Sequence, residues 1–253
     1  MLPPDPVLLV TGGHGTLGSA LLPALRESYA LRVADRVEPR RPGPDEVLVG
    51  DLADPGFADK AVDGADAILH LAADASPRSP WSRVAPNIGM THNVLAAAAR
   101  HTVRRIVLAS SNHAAGLNHR RGARPVDPGT AAMPCCPYGA TKLAEEALGG
   151  LHALDHDAIV VSLRFGLVGW PLVERDYNAM WLSARDARVL VRAALRAAAS
   201  GVHFGVSGYA EQFWSLDSAR ADLRYAPADW LPADAPELPW ATEAPCRMFD
   251  RHR

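Results

Sequence analysis

Cysteine is scarce in this chain, and aromatic side chains are few. Three cysteines occur among 253 residues, two of them adjacent at Cys135 and Cys136 and the third at Cys246. They supply neither a paired disulfide framework nor a metal-ligand spacing, so no metal is expected. Nothing basic stands beside Cys135 and Cys136 to generate a thiolate, so both read as packing residues, and the count fits a reducing, cytoplasmic setting. Phe, Trp and Tyr make up 6% of the chain and the formal net charge is −2. Neither a base-stacking surface nor an electrostatic pull toward nucleic acid or membrane follows from such values. Long apolar runs are also missing. Val7–Val10 is too short for a signal-peptide core or a span, and Met1–Pro6 carries no basic residue.

What is present is a repeated alternation of short apolar runs with helical periodicity. Val7–Val10 ends directly in Thr11-Gly12-Gly13-His14-Gly15-Thr16-Leu17-Gly18, after which Leu21, Leu22 and Leu25 recur at helical spacing. Strand, glycine turn and helix in that order let backbone amides approach a pyrophosphate at the helix N-terminus. Leu31–Asp35 reads as the next strand, and Asp35 stands twenty residues after Gly15, where a carboxylate accepts hydrogen bonds from an adenosine ribose. Because that carboxylate repels a 2′-phosphate, NAD is expected rather than NADP, with Arg36, Arg40 and Arg41 read as a solvated loop.

Further strands are predicted at Val47–Leu52, Ala67–Ala73, Arg104–Ala109 and Ala158–Phe165, with helices near 57–62, 86–100 and 138–152 between them. Asp51 caps a turn or meets the adenine amino group. The alternation implies right-handed crossovers and an α/β fold with a doubly wound parallel sheet. Ser183 is a helix cap for Ala184–Ala199, and Val202–Val206 reads as a strand. No repeat or linker divides the chain, so residues 1–253 are expected to form one domain with a small C-terminal substrate-binding portion. Segments 112–137, 166–182 and 205–230 are expected to form a substrate lid.

Tyr138 and Lys142 are four apart, so on a helix they share one face. A neighbouring ammonium favours the phenolate, which would lower the tyrosine pKa and make it a usable base. Ser111, delivered by the fifth strand, can hold the substrate oxygen. Asn87 either orients Lys142 through a water or merely sits near the start of its helix. His152 and His156 read as a solvated helix end, for want of a third metal ligand.

Together, Gly12-x-x-Gly15-x-x-Gly18, Asp35, Asp51-Leu52, His70-Leu71-Ala72-Ala73, Asn87, Ser111 and Tyr138-x-x-x-Lys142 resemble the extended short-chain dehydrogenase/reductase superfamily. Within it, Ala109–His113 followed by Gly116, then Ser162-Leu163-Arg164 and Trp181-Leu182-Ser183, is similar to the hexuronate dehydrogenase subfamily. The resemblance implies a Rossmann fold, NAD as cofactor, and oxidation of a hexuronic acid at its anomeric carbon to a lactone. It implies that Tyr138 is the base, that Lys142 holds the nicotinamide ribose, and that Ser111 binds the reacting oxygen. Thr16, Leu17, Leu71, Ala72 and Ala73 join the glycines around the cofactor. Ser76, Asn112 and His113 match sugar-contacting positions, and Arg175 is the cation for the carboxylate. Leu167 stands where the subfamily has serine, Leu117 and Asn118 replace an aromatic, and Arg175 is offset by about one position. A homodimer through helices 88–100 and 138–152 is implied by analogy. A nucleotide-sugar epimerase or dehydratase and a non-catalytic dinucleotide-binding regulator are the alternatives.

Overall fold

The computed structural model describes residues 5–39, 43–169, 175–231 and 246–248. Strands β1 (Val7–Thr11), β2 (Ala30–Asp35), β3 (Glu46–Val49), β4 (Ala67–His70), β5 (Arg105–Ser111) and β6 (Ile159–Phe165) are followed by a short pair and a final strand. The pair is β7 (Leu167–Val168) and β8 (Trp181–Leu182), and the last strand is β9 (Gly201–Gly205). The helices are α1 (Thr16–Leu25), α2 (Pro55–Val62), α3 (Trp81–Val84), α4 (Pro86–Arg100), α5 (Gly116–Arg120), α6 (Pro137–Asp155), α7 (Ala184–Ala194) and α8 (Asp217–Leu223).

Seven strands form one sheet in the order β3-β2-β1-β4-β5-β6-β9, with every neighbouring pair parallel. This is the predicted doubly wound arrangement, and its direction of winding reverses between β1 and β4. Period-two alternation divides the strand side chains between two cores. Leu8, Val10, Val33, Leu69, Val107 and Leu163 pack with Leu21 and Leu25 of α1 and Leu190 of α7. Leu9, Ala34, Ile68, Ile106 and Leu108 pack on the opposite face with Val62 of α2 and Val94 of α4. Burial of both faces accounts for strands that read as nearly continuous apolar runs.

Local chemistry sets the element ends. Pro86 opens α4, and the Ser183 hydroxyl accepts from Asp186 N at 2.9 Å to cap α7, both as the sequence predicts. Several boundaries differ, and β3 for example ends at Val49 rather than Leu52. The helix from Ala184 stops at Ala194, because Ser200 Oγ accepts from Val160 N at 3.0 Å and draws the chain into the sheet edge. Strand β4 ends at His70, because Leu71 N and Ala72 N turn back onto the Thr11 hydroxyl at 3.2 and 3.3 Å. His152 near the end of α6 is buried, whereas His156 just beyond the helix is exposed as expected.

The helix carrying Tyr138 is locked to the sheet by a buried ion pair. Arg164 of β6 donates to both Glu146 oxygens of α6 at 2.8 Å, and the Ser110 hydroxyl of β5 donates to the same carboxylate. Removing one partner of such a pair costs about 3–5 kcal/mol, because the other charge stays buried. Beyond β9, Trp214 and Tyr225 are fully buried, and Trp214 Nε1 donates to Ala179 O at 2.7 Å. Segment 205–230 thus packs against 179–182.

Candidate active site

A cleft of about 800 Å³ opens at the carboxyl ends of the strands, over the point where the winding reverses. Its dinucleotide end is shaped by backbone. Gly12 has φ of +67°, and a Cβ there would lie 2.8 Å from the Ala72 backbone, so only glycine fits between β1 and the turn after β4. Gly15, Thr16, Leu17 and Gly18 line the cleft as the first turn of α1, which no side chain caps. Those amides are a ready anion site. Leu71, Ala72 and Ala73 line the facing wall. Asp35, at the end of β2, also lines the cleft, and its carboxylate accepts from His14 N at 2.9 Å. Leu52 lines it too, whereas Asp51 is exposed and accepts from Ala53 N at 2.9 Å, which is the turn-capping alternative.

Behind this wall runs a chain of buried polar groups. Thr11 Oγ1 lies 2.8 Å from His70 Nδ1, and His70 Nε2 lies 3.0 Å from Thr91 Oγ1. Burial, with a contribution from Lys142, pulls the His70 pKa down to about 3, so the ring is neutral.

Ser111, Tyr138 and Lys142 are buried and line the same cleft. The Ser111 hydroxyl accepts from His113 N at 3.2 Å, and the Lys142 ammonium lies 5.8 Å from the centre of the tyrosine ring. Lys142 Nζ also donates to Glu145 Oε2 at 2.8 Å, in an ion pair that is almost wholly shielded from solvent. Burial lowers the lysine pKa, but Glu145, Tyr138 and Glu146 together outweigh it and hold the group above its ordinary value, so the ammonium stays charged. The tyrosine does not follow the sequence expectation. Burial raises its pKa, Lys142 opposes that as the next largest influence, and the net direction is upward because burial outweighs the ammonium, with Glu145 adding to it.

Asn112 and His113 follow Ser111 directly and line the cleft beside Tyr138. Asn112 Nδ2 is buried with no partner among the described residues, a free donor at the cleft wall. Ser76 sits on the rim between the lining residues Ala75 and Pro77, and its hydroxyl accepts from Arg78 N at 3.2 Å. Asn87 spends its amide on the backbone of Asp74, accepting at 2.9 Å and donating at 3.1 Å, so it braces the loop before Ser76. Arg175 begins a 3-10 turn over Arg175–Met180, but its side chain lies outside the described residues, as do Arg40 and Arg41. Leu167, Tyr177 and Met180 line this end, and among the described residues none of 205–230 does.

Two features escape a reading of the sequence. Glu145 and Thr91 carry no motif signal, although an acid three residues after the lysine on a helix is a legible partner. The cysteines are brought together by the fold: Cys135, Cys136, Cys246 and His113 place their ligand atoms within 4.8 Å of one another. Linear spacing conceals this, because Cys246 is 111 positions from Cys135.

Residues 8–200 match the NAD dependent epimerase/dehydratase family, and the chain belongs to it. It is an extended short-chain dehydrogenase/reductase, and the uncapped helix, Gly12 and Asp35 provide what NAD requires of such a cleft. An NAD-dependent glucose-6-phosphate dehydrogenase from Haloferax volcanii is 32% identical over 246 residues, covering 89% of this chain and 94% of that one. A uronate dehydrogenase from Pseudomonas syringae pv. tomato is 33% identical over 227 residues, covering 88% and 82%. Among solved structures, a mutated uronate dehydrogenase superposes with a TM-score of 0.82 at 31% identity, covering 88% of this chain and 82% of that one.

Proposed function

We propose that this NAD-dependent sugar dehydrogenase oxidises the anomeric carbon of a hexuronic acid to a lactone, with Tyr138 as the base. The observation that carries the reading is the buried Ser111, Tyr138 and Lys142 group, opening on the same cleft as the dinucleotide turn. Ser111 and Tyr138 hold the C1 hydroxyl between them, and the phenolate takes its proton. When bound, NAD accepts the hydride that leaves C1. Lys142, fixed by Glu145, supports the phenolate and reaches the nicotinamide ribose. Asn112 and His113 position the sugar, with the free Asn112 Nδ2 donating to a ring hydroxyl. Ser76 contributes from the rim. Arg175 is proposed for the carboxylate, where a planar fork suits two oxygens.

The lid is assigned to 112–137 and 166–182, with 205–230 as its support. The cofactor roles of Gly12, Gly15, Thr16, Leu17, Gly18, Asp35, Leu52, Leu71, Ala72 and Ala73 belong to the same proposal. So do a cytoplasmic location and a homodimer through α4 and α6. Leu151 and Leu154 are exposed on α6, which supports the dimer, and sedentation of the pure chain at two concentrations checks it. Among the described residues no helix is long and apolar enough to cross a membrane.

The experiment follows NADH formation with NAD and glucuronate, galacturonate, glucose 6-phosphate or L-arabinose. Turnover with a uronate at a kcat/KM at least about tenfold above the others is expected. Preference for glucose 6-phosphate would overturn the sugar-acid reading and keep the dehydrogenase. Tightly bound, non-exchanging cofactor with no net NADH would favour an epimerase.

A further inference from the structure

All three cysteines of this chain meet at one point beside the cleft. Cys135 Sγ lies 3.4 Å from Cys246 Sγ and 3.2 Å from His113 Nδ1, while Cys246 Sγ lies 3.5 Å from the same nitrogen. Cys136 completes the set, with all four ligand atoms inside 4.8 Å. A zinc ion bound at about 2.3 Å to sulfur and 2.0 Å to nitrogen makes a tetrahedron with edges of roughly 3.5 to 3.8 Å. The observed separations are close to those edges before any ion draws the groups in. A disulfide would use two of these sulfurs and leave a third sulfur and an imidazole in contact with it unexplained.

The surroundings suit thiolates. Cys136 is the N-cap of α6, a helix of 19 residues, and its sulfur accepts from Gly139 N at 3.4 Å. The positive end of a helix and a donated amide both favour S⁻ over SH. Met248 N donates to the Cys246 sulfur at 3.5 Å, and Cys135 N is tied to His113 O at 3.2 Å. Gly116 leaves the space: a Cβ there would lie 2.4 Å from Cys135 Sγ and 2.7 Å from Met248.

We propose that His113, Cys135, Cys136 and Cys246 bind one Zn²⁺ as a closed Cys3His site that pins the C-terminal segment beside the active-site cleft. Four protein ligands leave no open position, so the ion is structural. Loading releases the protons still held by the three thiols and changes no oxidation state. Coordination through Nδ1 fixes the remaining His113 proton on Nε2, on a ring that lines the cleft and meets Tyr138 edge-on at 6.0 Å. The site thereby sets which face of His113 can donate to a substrate. None of this depends on which sugar the enzyme takes.

The test uses the reduced full chain, freed of metal and titrated with Co²⁺ and then Zn²⁺, with NAD binding as the check on folding. The expected result is one equivalent of Co²⁺ per chain, with intense visible bands of tetrahedral thiolate coordination that stoichiometric Zn²⁺ abolishes. Cys246→Ser, which lies outside the sheet and only packs against the margin of one core, is expected to bind NAD normally and to lose more than about tenfold in metal affinity. Thiol reagents should label the cysteines only after a chelator is added. Uptake no greater than that of the Cys135→Ser, Cys136→Ser, Cys246→Ser triple variant would overturn the proposal, as would the weak bands of octahedral cobalt. A Cys246→Ser variant that binds as tightly as the parent would overturn it too.

Discussion

At the dinucleotide end of the cleft the shape is made by main chain: a left-handed glycine at Gly12, an uncapped helix start at Thr16, and one carboxylate at Asp35. At the catalytic end it is made by buried charge. Lys142 is paired with Glu145 and Glu146 with Arg164, all within the protein interior. Backbone geometry tolerates change in its neighbours, because turns and helix ends are locally determined. Buried ion pairs do not, because removing one member strands the other in a medium that cannot solvate it. The two ends should therefore fail differently: substitutions at the first weaken cofactor binding, and substitutions at the second abolish turnover or unfold the chain.

The largest expected effect is at Lys142. Lys142→Met removes the ammonium opposing the burial of Tyr138, so turnover should fall by about 10²–10⁴-fold. The ascending limb of its pH profile should also move to higher pH, since burial already raises the phenol and the ammonium no longer counters it. A profile that keeps its position would separate the lysine from the tyrosine's ionisation. Next comes Glu145→Ala, which leaves Lys142 buried without its carboxylate. A stability loss of about 3 kcal/mol is expected, read as a drop of about 6–12 °C in the thermal midpoint. An unchanged midpoint would mean that the pair is not buried in solution.

His70 gives a smaller effect confined to acid. Its folded pKa of about 3 lies below the ordinary histidine value, so the unfolded chain binds the proton first. Stability is unaffected above about pH 6.5, declines as pH falls below that, and continues to decline down to the folded pKa. At pH 5 the loss is about 2 kcal/mol, and His70→Gln should flatten that part of the curve in urea melts. Identical acid slopes for the two proteins would remove His70 from the account. The smallest effect belongs to the other end of the cleft. Asp35→Asn should raise the KM for NAD about tenfold, or about 1.4 kcal/mol, with kcat little changed. It should also improve use of NADP, since Arg36 lines the cleft there. A fall in kcat with KM unchanged would contradict the division between the two ends.

That division also marks what the sequence discloses. Gly12, Gly15, Gly18 and Asp35 act through local conformation and fixed spacing, so their neighbourhood could be read without coordinates. A parallel, doubly wound sheet followed from alternation and from the handedness of crossovers, and the sheet matches that expectation. Glu145 and the cysteines act through packing between distant segments, and no local pattern reports such meetings. The same limit explains the tyrosine. Spacing on a helix correctly put an ammonium near Tyr138, but the depth of burial that raises its pKa depends on the whole fold. Asn87 is a further case, since neither role read for it from the sequence names the Asp74 backbone that its amide braces.

Tyr138→Phe tests the central claim most directly, because it deletes one hydroxyl at the catalytic end and nothing at the other. NAD affinity and KM for NAD in the variant should stay within about threefold of the parent, while uronate oxidation should fall by about 10²–10⁴-fold across the whole pH range. Parental turnover would contradict the assignment of Tyr138 as the base, and a parallel collapse of NAD binding would contradict the independence of the two ends.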